Sequence, residues 1–292
     1  LATREVRMLD RALRTRHALP PGTAWVNYLR CHDDIGWTFD DNDARALGID
    51  PAGHRRFLND FYVGRFPGSF ARGLPFQENP ETGDARVSGT LASLAGLEAS
   101  LHATETQDGG GGASEEVELA LRRILLLYSI ILTVGGIPVI YIGDELAQLN
   151  DYSYADDPDR EEDSRWVHRP RFSWKAAEER LNPETASGRL FMELRRLLSL
   201  RAGEPALAGN ELEVVDTANP HVLGYVRHCE GRRLVILANF SEYSQPLASD
   251  LLRRAGRCYS FRDLVTGESY SAQDPLTLEP YQPLWLQPAS VG

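Results

Sequence analysis

The feature that most constrains the fold is a helical segment followed at once by a short, continuous apolar run. From Glu115 to Thr133, apolar residues recur at helical spacing, and Gly135 and Gly136 end that segment. The apolar run from Ile137 to Ile142 follows and suits a parallel strand that is buried on both faces. The polar Gly-Asp-Glu triplet at 143–145 then stands at the carboxyl end of this strand. This order predicts one unit of a β/α architecture.

A second apolar segment near the start of the chain indicates the same architecture. Residues Ala2 to Ala18 are rich in helix formers, and a Pro-Pro-Gly stretch at 20–22 separates them from a short strand over Ala24 to Arg30. Beyond Trp37 the periodicity gives way to Asp-, Asn- and Gly-rich sequence with a short helix at Gly53 to Gly64. This region reads as an excursion from a scaffold of alternating strands and helices.

The pattern changes after Pro205. An amphipathic helix over Gly188 to Arg201 precedes this point, and short β-rich runs with polar turns follow it. The predicted strands are Glu211–Asp216, Val222–His228, Arg232–Asn239, Arg257–Phe261 and Leu284–Leu286. We therefore predict the last units of a β/α barrel joined to a separate all-β domain that starts at about Ala206.

Composition and charge exclude several classes of function. The 292 residues carry a formal net charge of −11 and no Lys/Arg-rich run, so we do not expect nucleic acid as a partner. The longest apolar stretch, Ile124 to Ile142, is interrupted by polar residues, Gly and Pro, so we expect no membrane segment. Cys31, Cys229 and Cys258 are widely separated and lack metal-ligand spacing, which favours a reducing, cytoplasmic location without excluding secretion.

Three further stretches bear on the organisation of the chain. The Gly109–Gly112 run is most simply a flexible surface insertion. The acidic Asp151–Asp163 stretch makes a calcium loop conceivable, but its spacing does not match an EF-hand, so a solvated loop is favoured. Leu1 to Arg16 has no apolar signal-peptide core, and we expect the start of the chain to lie inside something longer.

The candidate site is the polar sequence Cys31-His32-Asp33-Asp34 at the end of the first predicted strand. In a β/α barrel the active site lies at the carboxyl ends of the strands. A carboxylate there can stabilise positive charge that develops on a sugar, and an imidazole can hold the hydroxyls of the ring. An aspartate that caps a turn, beside a histidine satisfied by backbone, would explain the same residues, since short His-Asp matches are common.

The surrounding sequence favours the sugar site. VNYLRCHDDIGW, over Val26 to Trp37, resembles the strand-seven signature of the α-amylase family of glycoside hydrolases. The rest of the chain resembles one branch of that family, the amylosucrases. The stretches that carry this resemblance are HRRFLNDFYVGRFPGSFARGLPFQENPETGDARVSGT (His54–Thr90), IPVIYIGDE (Ile137–Glu145), DSRWVHRPRF (Asp163–Phe172) and NFSEY (Asn239–Tyr243).

The resemblance implies an α/β fold: the carboxyl-terminal part of a (β/α)8 TIM barrel with a long inserted loop domain, followed by an all-β, antiparallel, sandwich-like domain. We assign residues 1–34 to the barrel segment ending in strand seven and residues 35–100 to the inserted loop domain. Residues 101–205 would be the end of the barrel, including strand eight, and residues 206–292 the terminal β domain.

The resemblance also implies an activity. Amylosucrases release fructose from sucrose and add the glucosyl unit to an α-1,4-glucan with retention at the anomeric carbon, without a cofactor or a metal. Retention requires a carboxylate nucleophile and a second carboxyl that acts first as acid and then as base. By resemblance, Asp33 is a third carboxylate that stabilises the transition state, and His32 binds hydroxyls of the transferred ring.

Five other residues correspond to substrate-binding positions of this family. Asp34 and Arg86 would contact the fructosyl side of sucrose, and Arg55 and Gln77 the growing glucan. Arg165 resembles the arginine whose ion pair with an aspartate closes the pocket floor, and its partner would lie before Leu1. A loop salt bridge or an ordinary surface side chain stays open for each lone arginine and for Gln77. Glu145, at the end of strand eight, is judged structural.

The family nucleophile lies in a strand-four motif of GFRxD type and the acid/base is a strand-five glutamate, and neither motif occurs between Leu1 and His32. We therefore expect the isolated chain to be inactive and to need the amino-terminal part of the same enzyme as a partner, besides sucrose and a glucan or maltooligosaccharide acceptor. A homodimer is left open. The alternatives are a sucrose hydrolase of the same family and a non-catalytic carbohydrate-binding fragment.

Overall fold

The computed structural model describes residues 1–106 and 111–289, with the backbone alone for residues 105, 106 and 111–114. Its helices are α1 (Arg7–Arg16), α2 (Asp41–Ala46), α3 (Pro51–Tyr62), α4 (Leu91–Leu94), α5 (Leu97–Thr106), α6 (Gly111–Thr133), α7 (Trp174–Glu178), α8 (Ala186–Gly203) and α9 (Leu251–Gly256). Its strands are β1 (Val26–Asn27), β2 (Leu74–Phe76), β3 (Arg86–Ser88), β4 (Ile137–Pro138), β5 (Leu212–Val215), β6 (Val222–Cys229), β7 (Arg232–Asn239), β8 (Gln245–Leu247), β9 (Ser260–Asp263), β10 (Ser269–Ser271), β11 (Leu276–Leu278) and β12 (Pro283–Pro288).

Of the Gly109–Gly112 run, the first two glycines lie outside the described residues. Among the described residues, no helix combines the length and the apolar character needed to cross a membrane.

The two predicted β/α strands pair with each other in parallel. Val26 of β1 lies opposite Ile137 of β4, and Asn27 lies opposite Pro138. Each strand is shorter than the sequence predicts, and the expected burial of β4 on both faces is wrong: Ile137 is 56% and Ile142 65% exposed. The described residues leave more than half of each of these two side chains uncovered.

A glycine turn joins α6 to β4. Gly135 and Gly136 adopt φ angles of 104° and 77°, which glycine reaches without strain. A Cβ atom on Gly135 would lie 2.7 Å from a guanidinium nitrogen of Arg227, and one on Gly136 would collide with the backbone carbonyl of Trp25. The approach at Gly136 brings the start of β4 against the residue that precedes β1, and the one at Gly135 leaves room for Arg227 of β6.

The carboxyl end of α6, together with this turn, is held by side chains from four other segments. Five successive carbonyl groups accept side-chain hydrogen bonds: Leu132 and Gly136 from Arg201, Thr133 from Arg227, Val134 from His17, and Gly135 from Asn27. The last carbonyls of a helix have no partner within the helix and carry partial negative charge, so the two guanidinium groups are well placed. We call these five carbonyls and their donors the α6 cap.

The region between β1 and α4, which is predicted to be an inserted loop domain, has its own aromatic cluster. Helix α3 begins two residues before the predicted Gly53, because Asp50 accepts a hydrogen bond from the Gly53 N–H at 2.6 Å and Pro51 occupies the first helical position. Strands β2 and β3 form a hairpin beside it. The cluster consists of Trp37, Phe39, Phe57, Phe61, Tyr62 and Phe70.

The predicted antiparallel β region is confirmed as a six-stranded sheet in the order β10-β9-β12-β7-β6-β5, with β8 and β11 in a separate ribbon. One face of the sheet packs on α6 and α8, and the other on the ribbon and α9. Trp285 donates to the Ser129 hydroxyl of α6 at 2.7 Å across the first of these layers. The core is thus continuous across the predicted boundary at about Ala206, and that boundary stays a prediction.

Candidate active site

The candidate site lies where the chain leaves β1 toward the inserted region. The side chains of His32 and Asp33 are 64% and 55% exposed, and His32 Nε2 lies 3.4 Å from a carboxylate oxygen of Asp33. The backbone carbonyl of His32 is held in place, because it accepts hydrogen bonds from His168 Nε2 at 3.0 Å and Arg169 Nε at 2.7 Å. The structure therefore presents a carboxylate and an imidazole side by side, open to solvent, on an anchored backbone.

Asp34 and Arg86 are brought together by backbone pairing. Ile35 and Val87 exchange hydrogen bonds at 2.8 and 3.0 Å, which sets β3 alongside the end of the β1 segment. Arg86 Nη1 consequently lies 3.3 Å from a carboxylate oxygen of Asp34. The Asp34 carboxylate is buried, whereas the Arg86 guanidinium stays more than half exposed and keeps free donors for a ligand.

Arg55 and Arg86 line one cavity of about 550 Å³ beside this pair. Arg55 Nε and Nη2 donate to the carbonyls of Trp37 and Phe39 at 2.9 and 3.0 Å, and Nη2 also pairs with Asp41 at 2.6 Å. Its guanidinium lies over the Phe39 ring. A cavity with arginine donors in fixed positions is suited to the hydroxyl groups of a sugar.

Gln77 does not line this cavity. It is exposed, directly follows β2, and has a φ angle of 50°, which is costly for any residue with a Cβ atom. Strain of this kind often accompanies function, although the angle alone assigns no role. The prediction that Gln77 contacts a glucan stays a prediction.

Arg165 is paired within the chain. Its guanidinium binds the Asp163 carboxylate at 2.8 to 3.2 Å and stacks on the Phe76 ring, and the pair raises the pKa of Arg165 above its usual value. The negative charges of Asp33 and Asp34 act on it in the same direction. The partner observed for Arg165 is therefore Asp163, and the expected partner before Leu1 stays a prediction.

A buried polar cluster beneath the site was not predicted from the sequence. Arg30 is 3% exposed, lies over the Tyr141 ring and donates to the Gly89 carbonyl at 2.7 Å. Burial raises the pKa of the nearby Asp144 carboxyl to about 7, against the attraction of Arg30. No pattern in the sequence marks Arg30 as buried, because β1 ends at Asn27 and the chain bends at Leu29 and again at His32.

Glu145 lies in the turn that follows β4. Glu145 accepts a hydrogen bond from the Gly143 N–H at 2.7 Å and so closes the turn after β4.

In the described part of the chain, one group could offer three metal ligands: Cys31, His32 and Asp33, whose ligand atoms lie within 4.8 Å of one another. They are three successive residues and two of them are exposed, so this proximity by itself does not define a metal centre.

The terminal sheet is similar to a known domain family. A family profile described as "Maltogenic Amylase, C-terminal domain" matches residues 212–285, from the start of β5 into β12. Glucosylglycerate phosphorylase of Escherichia coli (strain K12) is 28% identical over 167 residues, which are 56% of this chain and 28% of that protein. Trehalose synthase of Thermus thermophilus is 30% identical over 176 residues, which are 52% of this chain and 17% of that protein.

Two solved structures share the fold. An AmyP variant in complex with maltotriose superposes with a TM-score of 0.59 at 14% identity, over 97% of this chain and 44% of that one. Sucrose 6F-phosphate phosphorylase from Thermoanaerobacter thermosaccharolyticum superposes with a TM-score of 0.51 at 16% identity, over 82% of this chain and 40% of that one.

The chain therefore has an amylase-family fold. Residues 212–285 of its terminal antiparallel sheet are similar to the C-terminal domain of maltogenic amylases, and the AmyP structure shares the fold. The chain spans less than a third of the length of glucosylglycerate phosphorylase and of trehalose synthase. The amylosucrase branch and the complete barrel are finer assignments and stay predictions.

Proposed function

We propose that this chain is the carboxyl-terminal part of an amylosucrase-like glucosyltransferase. The enzyme would take sucrose, release fructose and extend an α-1,4-glucan with retention at the anomeric carbon. The observation that carries the proposal is the arrangement at the end of β1, where exposed His32 and Asp33 adjoin the Asp34–Arg86 pair. Arg55 extends this arrangement along a cavity of about 550 Å³.

Each part of this arrangement has a role in the proposed reaction. Retention proceeds through a covalent glucosyl-enzyme with positive charge at the anomeric carbon in both transition states. The carboxylate of Asp33 would stabilise that charge, and His32 would hold hydroxyls of the glucosyl ring. Arg86, which is held by the buried Asp34 carboxylate, would donate to fructosyl hydroxyls, and Arg55 would donate to the acceptor glucan. By the resemblance, Asp34 also contacts the fructosyl side.

The nucleophile and the acid/base would come from additional β/α units of the same enzyme. The exposed apolar face of β1 and β4 supports this part of the proposal, because parallel strands are ordinarily covered on both faces. Six large apolar side chains in and beside these strands are exposed: Trp25, Val26, Tyr28, Ile137, Val139 and Ile142. A patch of this kind, in water, favours association with further apolar surface.

The test supplies sucrose and glycogen to the full-length polypeptide. Fructose release accompanied by glucan growth would support the transferase. Fructose with an equal amount of free glucose and no glucan would assign the sucrose hydrolase instead, since water and a sugar hydroxyl attack the same intermediate. Binding of maltooligosaccharide in calorimetry without any turnover of sucrose would leave the carbohydrate-binding alternative.

A pair of variants tests the acceptor site separately. Arg55→Ala and Gln77→Ala should each lower glucan yield more than fructose release, because acceptor contacts matter only in the second half of the reaction. Arg45→Ala is the matched control, since Arg45 also pairs with Asp41 but does not line the cavity. An equal loss of both products in the Arg55 and Gln77 variants would contradict their assignment.

We also propose a cytoplasmic location. The support is that Cys31, Cys229 and Cys258 are all free of disulfide bonds. Labelling of a tagged full-length polypeptide in fractionated cells would test it, and recovery outside the cytoplasm would overturn it.

A further inference from the structure

The backbone between His32 and Asp33 is held by a turn that lies far away in the sequence. The short 3-10 helix Ser164–His168 ends directly against it. Two consecutive side chains, His168 and Arg169, both donate to the His32 carbonyl, at 3.0 and 2.7 Å. This carbonyl belongs to the same peptide unit as the Asp33 N–H, so the contact fixes the point from which the Asp33 side chain leaves the backbone.

The other nitrogen of His168 is also used, and this defines its tautomer. Nδ1 accepts a hydrogen bond from the Gly89 N–H at 3.0 Å, so the proton of the neutral ring resides on Nε2, where it points at the His32 carbonyl. His168 is 1% exposed, and its burial lowers its pKa to about 4. The ring is therefore neutral, and both of its contacts hold at neutral pH.

Gly89 connects His168 to a second residue of the segment after β1, Arg30. The Gly89 carbonyl accepts from Arg30 Nη1 at 2.7 Å, so Arg30, Gly89, His168 and His32 form one chain of contacts. A Cβ atom on Gly89 would lie 2.7 Å from a methyl group of Leu94, so a side chain there would have to displace Leu94. The segment after β1 is thus tied at Arg30 and at His32 through one buried residue, Gly89.

The reactive side chains themselves have few anchors of their own. For the Asp33 carboxylate, the described contacts are His32 at 3.4 Å and Arg169 at 3.8 Å, both too long for a strong hydrogen bond. Since more than half of each side chain of the His32–Asp33 pair is exposed, its direction depends on the backbone beneath. The Asp33 carboxylate is then oriented mainly by the fixed peptide between His32 and Asp33.

We propose that His168 and Arg169 are positioning residues that set the Asp33 carboxylate for glucosyl transfer. This inference rests on the proposed function of the site. A group that supports a transition state loses most of its effect when it moves by about 1 Å, which costs on the order of 100-fold in rate. The positioning pair acts through the His32 carbonyl and does not touch the sugar.

The test uses the full-length polypeptide with His168→Leu and Arg169→Ala, and with Arg171→Ala as the matched control. Arg171 is an exposed arginine two residues further on. We expect kcat for fructose release to fall roughly 10-fold to 100-fold in the first two variants, with KM for sucrose within about twofold. Arg169→Lys should recover only part of the loss, because it keeps the charge and loses the Nε donor. Unchanged kcat, or the same loss in Arg171→Ala, would overturn the proposal.

A second measurement does not depend on the reaction. Amide hydrogen exchange at Gly89 and Asp33 should speed up several-fold in His168→Leu, and the Asp33 amide should do so in Arg169→Ala, while Arg171→Ala leaves both amides unchanged. Faster exchange in a protein that does not use sucrose would overturn the proposed function and still support the anchoring of this peptide. Exchange that stays at the wild-type rate in both variants would overturn the anchoring itself. Because Arg169 is more exposed than His168, its variant keeps the test decisive if His168→Leu does not fold.

Discussion

The two ends of the β1–β4 pair are built in opposite ways. At the amino end, the α6 cap satisfies five successive carbonyls with side chains from four segments. At the carboxyl end, His32 and Asp33 project into solvent and are fixed through one backbone carbonyl. In β/α folds the first end serves stability and the second serves chemistry. The comparison predicts that substitutions at the two ends will separate into losses of folding and losses of rate.

The largest effect is expected at the carboxyl end. Asp33→Asn in the full-length polypeptide should lower fructose release by roughly 100-fold to 1000-fold, because a fixed charge facing the transition state is removed. The thermal midpoint should be unchanged, since the side chain is exposed. Asp156→Asn, at another exposed aspartate, is the control. Retention of most of the activity in Asp33→Asn would remove the distinction between the two ends.

At the amino end, Arg227→Met should act on folding. Arg227 is fully buried and donates to the carbonyls of Thr133 and Glu211 at 2.9 Å and to that of Gly209, all of which would lose a donor. We expect a loss of about 3 kcal/mol in the free energy of unfolding, from unsatisfied buried acceptors. Urea unfolding followed by tryptophan fluorescence measures it, because Trp285 packs on α6. Arg232→Met, at an exposed arginine of β7, should leave the midpoint in place, and an equal shift in both variants would contradict the prediction.

Two buried groups near the site, Asp144 and His168, should give the stability of the fold opposite dependences on pH. Burial raises the pKa of Asp144 to about 7, so stability from this group falls as pH rises from 3.8 to 7. Burial lowers the pKa of His168 to about 4, so its contribution falls as pH drops from 6.5 to 4. The two slopes oppose each other. In Asp144→Asn, thermal midpoints should therefore rise more steeply between pH 4 and pH 7 than in the wild type.

The control for this measurement is again Asp156→Asn, which should follow the wild-type curve. A curve for Asp144→Asn that runs parallel to the wild type would show that Asp144 does not hold its proton in the folded state.

The smallest effect is expected at Gln77, where a pair of variants distinguishes backbone strain from a role in binding glucan. Gln77→Gly should raise stability by up to about 1 kcal/mol, because glycine adopts a φ of 50° without steric cost. Glu230→Gly, at a φ of 48° in the β6–β7 turn, should give a similar gain. Only the Gln77 variant should lose glucan yield, if Gln77 contacts the acceptor. Equal glucan yield in both variants would assign the strain at Gln77 to the fold alone.

Much of the fold follows from local patterns in the sequence. Helical spacing located α6 and α8, and alternating or continuous apolar runs located β6, β7 and the parallel pair. The short strands β8, β10 and β11 were not predicted, since three-residue strands carry too little pattern to stand out. The exposed face of β4 was not predicted either, because an apolar run does not show whether its neighbours are present in the same chain.

The site was predictable only where neighbouring positions carry a motif. His32, Asp33 and Asp34 share one stretch, and Arg86 meets Asp34 through a bridge between two short strands. The anchoring through Arg30, Gly89 and His168 joins residues separated by 59 and 79 positions, with no periodicity to announce it. Contacts of this kind arise from tertiary packing, which a single sequence does not encode locally.

The α6 cap also has a consequence for how the molecule folds. Its donors are spread from His17 to Arg227, so the set of five hydrogen-bonded carbonyls is complete only after β6 has been synthesised. Contacts over such long separations close late, because the entropy of a large loop must be lost first. The terminal sheet would then act during synthesis as the element that locks the last strand of the parallel pair, so that sheet and strand pair form in one cooperative step.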